Sequence, residues 1–162
     1  MSFEWQHFLD LAEQLARKAA EDNAPTAEDA SAPPAPIAPR SSSEAALRTA
    51  ISRAYYATYH IAVEYIDLTG GGLPPKINSH QWAWDQFNPK IKPSVRKQER
   101  RIFNIGRDML FARKAADYEF SYPSLGISFP KAMNKWDELA DYSIINARTT
   151  QQLFKDIWPN KS

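Results

Sequence analysis

Residues 43–68 form an almost unbroken helical pattern, and this segment constrains the fold more than any other part of the sequence. Ser41 and Glu44 have the spacing of a capping box at its start, and the glycine triplet Gly70–Gly72 ends it. The pattern therefore predicts one long helix with a single buried side. Its apolar stripe consists of Leu47, Ile51, Ala54, Tyr55, Thr58, Ile61, Ala62 and Tyr65.

Helical periodicity on either side of this segment predicts further helices over about residues 2–21, 79–87, 94–116 and 131–158. Residues 23–40 hold five prolines among Ala, Ser and acidic residues, so we expect a mobile insertion between two packed helices. No strand pattern competes with the helices. The expected fold is all-α, an up-and-down bundle of four to five helices that forms one domain over residues 1–162.

The composition excludes several classes of protein. There is no cysteine, and therefore no disulfide framework, thiolate metal site or thiol nucleophile. No apolar run reaches the length of a membrane span, and the N-terminus lacks a basic stretch followed by an apolar one. We therefore expect a soluble cytoplasmic protein without a membrane partner.

The net charge is only +1, but the charges are unevenly distributed. Residues 90–114 carry nine bases against two acids, as expected of a surface that binds phosphates or an acidic partner, or of a solvated helix face. Within the predicted fourth helix, Arg96, Arg100 and Arg107 share one side with Lys114. This side, with Phe103, Leu110 and Phe111 close by, suits either an RNA-binding surface or an interface with another protein.

Arg53 and His60 are the most suggestive pair for chemistry. They are seven residues apart, so on a helix they differ by only about 20° in direction, with Tyr56 between them and Glu64 one turn beyond. A histidine can act as base or acid near neutral pH, and an arginine can stabilise charge on a phosphate. The pair thus suits metal-independent cleavage of RNA, in which the 2′-hydroxyl of the RNA attacks the neighbouring phosphate.

This chemistry works best with a second acid–base group. A two-fold dimer that brought the long helix against its mate would supply a second histidine. We also interpret Phe103 and Leu110 as lying off the core stripe of the fourth helix, where they could join such an interface. His80, at the start of the third helix, is either a helix cap or a further supporting residue of the site.

Other kinds of site have weaker support. His60 and Glu64 are four residues apart and could share a metal ion with His80, but no metal-binding motif accompanies them. The glycine triplet follows a helix and precedes prolines, so it is a helix stop rather than a phosphate loop. The sequence predicts no metal and no cofactor.

Three motifs, in order, resemble the HEPN superfamily of small helical proteins. They are Arg-Ala-Tyr-Tyr-Ala-x-x-His at residues 53–60, Ser79-His80 ahead of an aromatic helix, and Ala-Asp-Tyr at residues 116–118. Together the motifs cover about residues 44–120. HEPN toxins commonly have four residues between the Arg and the His of this motif, whereas this chain has six between Arg53 and His60. Those toxins also have a tyrosine two positions after the His, where this chain has Ala62.

The resemblance implies a helical bundle, frequent homodimers, and a role in prokaryotic toxin–antitoxin or defence systems. Many HEPN proteins are metal-independent endoribonucleases that use an Arg-x4–6-His motif, which Arg53 and His60 match at its upper limit. Some relatives work beside a small nucleotidyltransferase that neutralises them. Others are inactive and bind nucleic acid, nucleotides or partner proteins, so both an enzyme and a binding module remain open.

Overall fold

The computed structural model describes residues 4–23, 41–72, 74–118 and 135–158. These residues form five helices and no strand, which confirms the predicted all-α bundle. The helices are α1 (Trp5–Asp22), α2 (Ser41–Leu68), α3 (Ser79–Asp85), α4 (Lys97–Tyr118) and α5 (Trp136–Ile157).

The four long helices run alternately up and down. The end of α1 meets the start of α2, where Ser43 Oγ donates a hydrogen bond to Asn23 Oδ1 over 3.2 Å. Contacts near both ends of α2 and α4 show that these two helices are antiparallel as well. The short α3 packs on α2 and α4, whereas α1 packs on α2 and α5.

The long helix α2 lies at the centre and contacts every other helix. All eight residues of its predicted apolar stripe are buried, as periodicity indicated. Burial extends further round the helix than one stripe, because α2 is surrounded on most sides; the additional buried residues include Ala50, Ala57, Tyr59 and Ile66.

The predicted ends of α2 agree with the structure, whereas the predicted ends of the other helices differ from it by a few residues. Gly70 and Gly72 have φ angles of 83° and 77°, the left-handed conformation that stops a helix. α4 begins at Lys97 rather than near residue 94, because the carboxylate of Glu99 accepts the backbone N–H of Arg96 over 2.8 Å and caps the helix there. α1 begins at Trp5, α3 ends at Asp85, and Lys135 precedes α5 in an extended conformation.

One expectation about α4 is wrong. Phe103 and Leu110 do not lie off the core, since only 9% and 6% of their surfaces are exposed within the single chain. α4 packs against α2, α3 and α5, and therefore buries a broader face than one stripe of its sequence suggests. Neither residue is available for the dimer interface in which we expected them.

Two further expectations concern the predicted insertion and the membrane. The predicted mobile insertion lies outside the described residues, except for Asn23 at its start. In the part of the chain that the structure describes, no helix is both long enough and apolar enough to cross a bilayer.

Candidate functional site

The polar side of α2 faces a gap in the bundle. Among the described residues, α1 makes no contact with α3 or α4, so these helices leave this side of α2 uncovered between them. Arg53, Tyr56 and His60 lie there, and each is partly exposed. The structure thus places the predicted Arg–Tyr–His series in an accessible position.

Aromatic rings hold the members of this series together. The Tyr56 ring stacks on His60, with centroids 6.2 Å apart and 28° between the planes. Phe8 of α1 contacts both ends, since its ring lies 5.9 Å from the His60 ring and 5.4 Å from the guanidinium carbon of Arg53. Arg53 makes no ion pair with any described residue, and its charge therefore remains for a ligand.

His80 of α3 joins the same cluster. Its ring lies 5.9 Å from the Tyr56 ring and 4.4 Å from the ring of Tyr59, which in turn lies 5.4 Å from His60. One chain therefore brings two of its three histidines against the same two tyrosines. His80 is not the helix cap that was considered as an alternative, because that position is occupied by Asn78.

A buried chain of hydrogen bonds orients His80. The Trp84 Nε1–H donates to the Tyr55 hydroxyl oxygen over 3.3 Å, and that hydroxyl lies 2.9 Å from Nδ1 of His80. Tyr55 is fully buried, and Nδ1 is the acceptor that the described residues offer to its O–H. We therefore assign the proton of neutral His80 to Nε2, the nitrogen left for a ligand.

The environment lowers the pKa of both His60 and His80, which favours their neutral forms. Burial lowers the pKa of His60 below its ordinary value of 6.5. Burial also lowers the pKa of His80, and the positive charges of Arg113, His60 and Lys114 lower it further.

Arg113 is a member of the cluster that sequence reasoning did not assign to the site. Its Nη2 donates to the Tyr56 hydroxyl over 3.1 Å, and its Nε lies 2.7 Å from a carboxylate oxygen of Asp117. Asp117 also accepts a hydrogen bond from Ser52. Arg113 and Asp117 are four residues apart, a spacing at which opposite charges pair along a helix. The contact of Arg113 with Tyr56 bridges 57 residues and has no local signal.

A shallow groove of about 450 Å³ adjoins the cluster between α2 and the end of α4. Arg53 and Tyr56 lie on its wall beside Ser52 and Asp117, and Arg48 lies further along. The groove can receive part of a ligand whose charge is bound at Arg53.

The remaining predicted site residues lie elsewhere. Arg96 is not part of a common basic stripe: its Nη2 donates to the Tyr65 hydroxyl over 2.6 Å and to Glu99 over 3.0 Å, at the other end of α4. Arg100 and Arg107 are exposed on the outer side of α4. Glu64 is partly exposed and makes no hydrogen bond or ion pair with a described residue.

The donor set does not resemble a metal centre. Within the described ranges, no three His, Asp or Glu side chains come together in a way that could hold an ion. Among the described residues, the rings of Tyr56 and Tyr59 contact both His60 and His80.

Comparisons with protein families, with curated proteins and with solved structures find no match for this chain.

Proposed function

We propose that this protein is a metal-independent endoribonuclease that cleaves RNA by attack of the 2′-hydroxyl on the neighbouring phosphate. The observation that carries the proposal is the pairing of His60 and His80, two partly exposed histidines on different helices, beside the unpaired cation Arg53. Two histidines and one arginine supply the base, the acid and the charge stabilisation that the reaction requires.

We assign the following roles as part of the proposal. His60 accepts the proton of the 2′-hydroxyl, whose oxygen forms a bond to phosphorus. As the bond from phosphorus to the 5′-oxygen breaks, protonated His80 gives its Nε2 proton to that oxygen. Arg53 stabilises the additional negative charge on the phosphate oxygens. The products are a 2′,3′-cyclic phosphate and a 5′-hydroxyl, and the histidines exchange protons with solvent before the next turnover.

The proposal does not need a dimer to complete the site. We expected a two-fold mate to supply the second histidine. In the proposal His80 of the same chain takes that role. We retain the toxin–antitoxin or defence setting, with a nucleotidyltransferase-type partner, as part of the proposal, because the three motifs occur in the order that HEPN proteins have.

The proposal is tested by incubating the protein with a labelled RNA strand in the presence of EDTA. Cleavage should persist, because the nucleophile is the 2′-hydroxyl of the RNA, and the new ends should be cyclic phosphates. A DNA strand of the same sequence should remain intact, since it lacks that hydroxyl.

The chain offers a matched control for the histidine that acts as base. His60→Ala should lower the cleavage rate by about 10²- to 10⁴-fold, and Arg53→Ala should lower it by about 10²- to 10³-fold. His7→Ala should leave it unchanged, since His7 is exposed on α1 and pairs only with Glu4. Loss of cleavage in EDTA, or equal rates for His60→Ala and His7→Ala, would contradict the proposal.

A further inference from the structure

The outer face of α4 combines positive charge with exposed aromatic rings. Six of its residues lie within about 40° of a common direction at 100° per residue, and all six are exposed. Phe111 and Tyr118 expose 46% and 69% of their surfaces, although both are aromatic. The six residues, which we call the α4 outer face, are Arg100, Asn104, Arg107, Phe111, Lys114 and Tyr118.

The three acids of α4 lie about 80° or more away from the centre of this face at 100° per residue, and each is engaged by another residue. Glu99 is bound by Arg96 and Tyr65, and Asp108 accepts a hydrogen bond from Tyr142 of α5. Asp117, the third acid, is held by Arg113 and Ser52 (both described above). The bases of the α4 outer face make no ion pair with any described residue, so the face attracts a polyanion.

One end of the α4 outer face adjoins the candidate site. The guanidinium carbon of Arg113, whose Nη2 bonds Tyr56, lies 5.8 Å from the Tyr118 ring centroid. The charge of Lys114, the next residue along the chain from Arg113, also contributes to lowering the pKa of His80. The end of the face at Tyr118 therefore adjoins Arg113, a residue of the candidate site.

We infer that the α4 outer face binds a single-stranded segment of the RNA substrate and leads it to His60 and His80. From Arg100 to Tyr118 the helix rises about 27 Å, enough for several nucleotides. Exposed aromatic rings stack on unpaired bases, whereas the bases of a duplex are already stacked on each other. The identity of the polyanion as RNA rests on the proposed function, but the surface can be tested without cleavage.

The test measures binding of a labelled DNA strand of about 12 nucleotides, which the proposed reaction cannot cut, by fluorescence anisotropy. The combined variant Arg100→Glu with Arg107→Glu should weaken binding by about tenfold or more and reduce the salt slope by about 1.4. The matched control reverses two exposed charges on α1, Arg17→Glu with Lys18→Glu, and should change binding by less than about twofold.

A second pair of variants tests the aromatic contribution. Phe111→Ala with Tyr118→Ala should weaken binding of the single strand by about tenfold or more, and binding of a duplex of the same length much less. Equal losses for strand and duplex would contradict the inference of a single strand.

Three other outcomes would overturn the inference. In the first, wild-type protein binds neither the single strand nor the duplex at low salt. In the second, the charge reversal on α1 weakens binding as much as the charge reversal on α4. In the third, the charge reversal on α4 converts a dimer to a monomer in light scattering while binding of the single strand is unchanged. The last outcome would make the face an interface between two copies of the chain. If binding behaves as expected but RNA is never cleaved, the proposed function fails and the surface assignment stands.

Discussion

The interface between α2 and α4 contains the same kind of polar network at each of its ends. In both, a tyrosine of α2 meets an arginine and a carboxylate of α4, with arginine-to-hydroxyl distances of 2.6 and 3.1 Å. We call them the capping network and the site network. The capping network is Tyr65, Arg96 and Glu99, and the site network is Tyr56, Arg113 and Asp117.

The two networks differ in what surrounds the tyrosine. In the capping network the ring of Tyr65 packs among Phe87, Phe154 and Trp158, which cannot exchange protons. In the site network the ring of Tyr56 contacts the rings of both His60 and His80. Equal composition therefore does not give equal function, because only one network borders groups that titrate near neutral pH.

The largest difference between the networks should appear in the rate of RNA cleavage, when one side chain is changed at each network. His80→Gln should lower the rate of RNA cleavage by about 10²-fold or more, because it removes the proposed acid. Tyr65→Phe removes a hydroxyl from the capping network and should leave the rate within about twofold. Single-turnover cleavage assays measure both, and a His80→Gln variant as active as wild type would make the cluster an ordinary packed core.

A second prediction concerns the support beneath His80. A methyl group at Gly106 would lie 2.3 Å from the ring of Trp84, which is fully buried and bonded to Tyr55. Gly106→Ala should therefore lower the free energy of unfolding by about 1–3 kcal/mol and reduce cleavage by displacing that ring. Urea titration followed by circular dichroism measures the stability. The exposed Asn104→Ala is the control, and equal midpoints for the two variants would refute the prediction.

A third prediction separates the arginines by their effect on pH dependence. The charge of Arg113 contributes to lowering the pKa of His80, so Arg113→Met should raise that pKa. The proposed acid role of His80 requires its protonated form, so a higher pKa should move the cleavage optimum to higher pH. Arg96→Met should leave the optimum in place. Rates measured across the pH range test this, and a Met variant of Arg113 with the wild-type profile would remove Arg113 from the site.

The smallest effect is expected in the capping network. Burial acts to raise the pKa of Glu99, but hydrogen bonds from Arg96 and Tyr65 outweigh it and hold the pKa below its ordinary value of 4.5. Glu99→Gln should therefore cost about 1 kcal/mol of stability at neutral pH. The difference should disappear as pH falls through the lowered pKa, because wild type then loses the same charge. A cost that is unchanged at low pH would contradict this explanation.

The sequence predicted α2 well because its information is local. Periodicity identified the buried stripe, and the glycines identified the end of the helix. The same reasoning brought Arg53, Tyr56 and His60 to one side, since side chains four and seven residues apart share a helix face. Each of these predictions depends only on the geometry of a single helix.

What the sequence could not give depends on contacts between helices. Phe103 and Leu110 are buried because three helices surround α4, and the pattern of one helix does not reveal how many neighbours it has. Arg96 shares the spacing of a basic stripe, but its hydrogen bond with Tyr65 bridges 31 residues. The proximity of His80 to His60 likewise follows from the packing of α3 on α2, which no local pattern reports.

The hydrogen bond between Ser43 and Asn23 has a consequence for how this bundle tolerates change. Because α1 ends beside the start of α2, the described residues on either side of 24–40 lie close together at one corner of the bundle. The entropy of closing a loop between two such neighbouring points grows only slowly with its length, by about 0.6 kcal/mol per doubling. That corner is therefore a place where a reporter domain can be spliced into the protein with the two helices still paired.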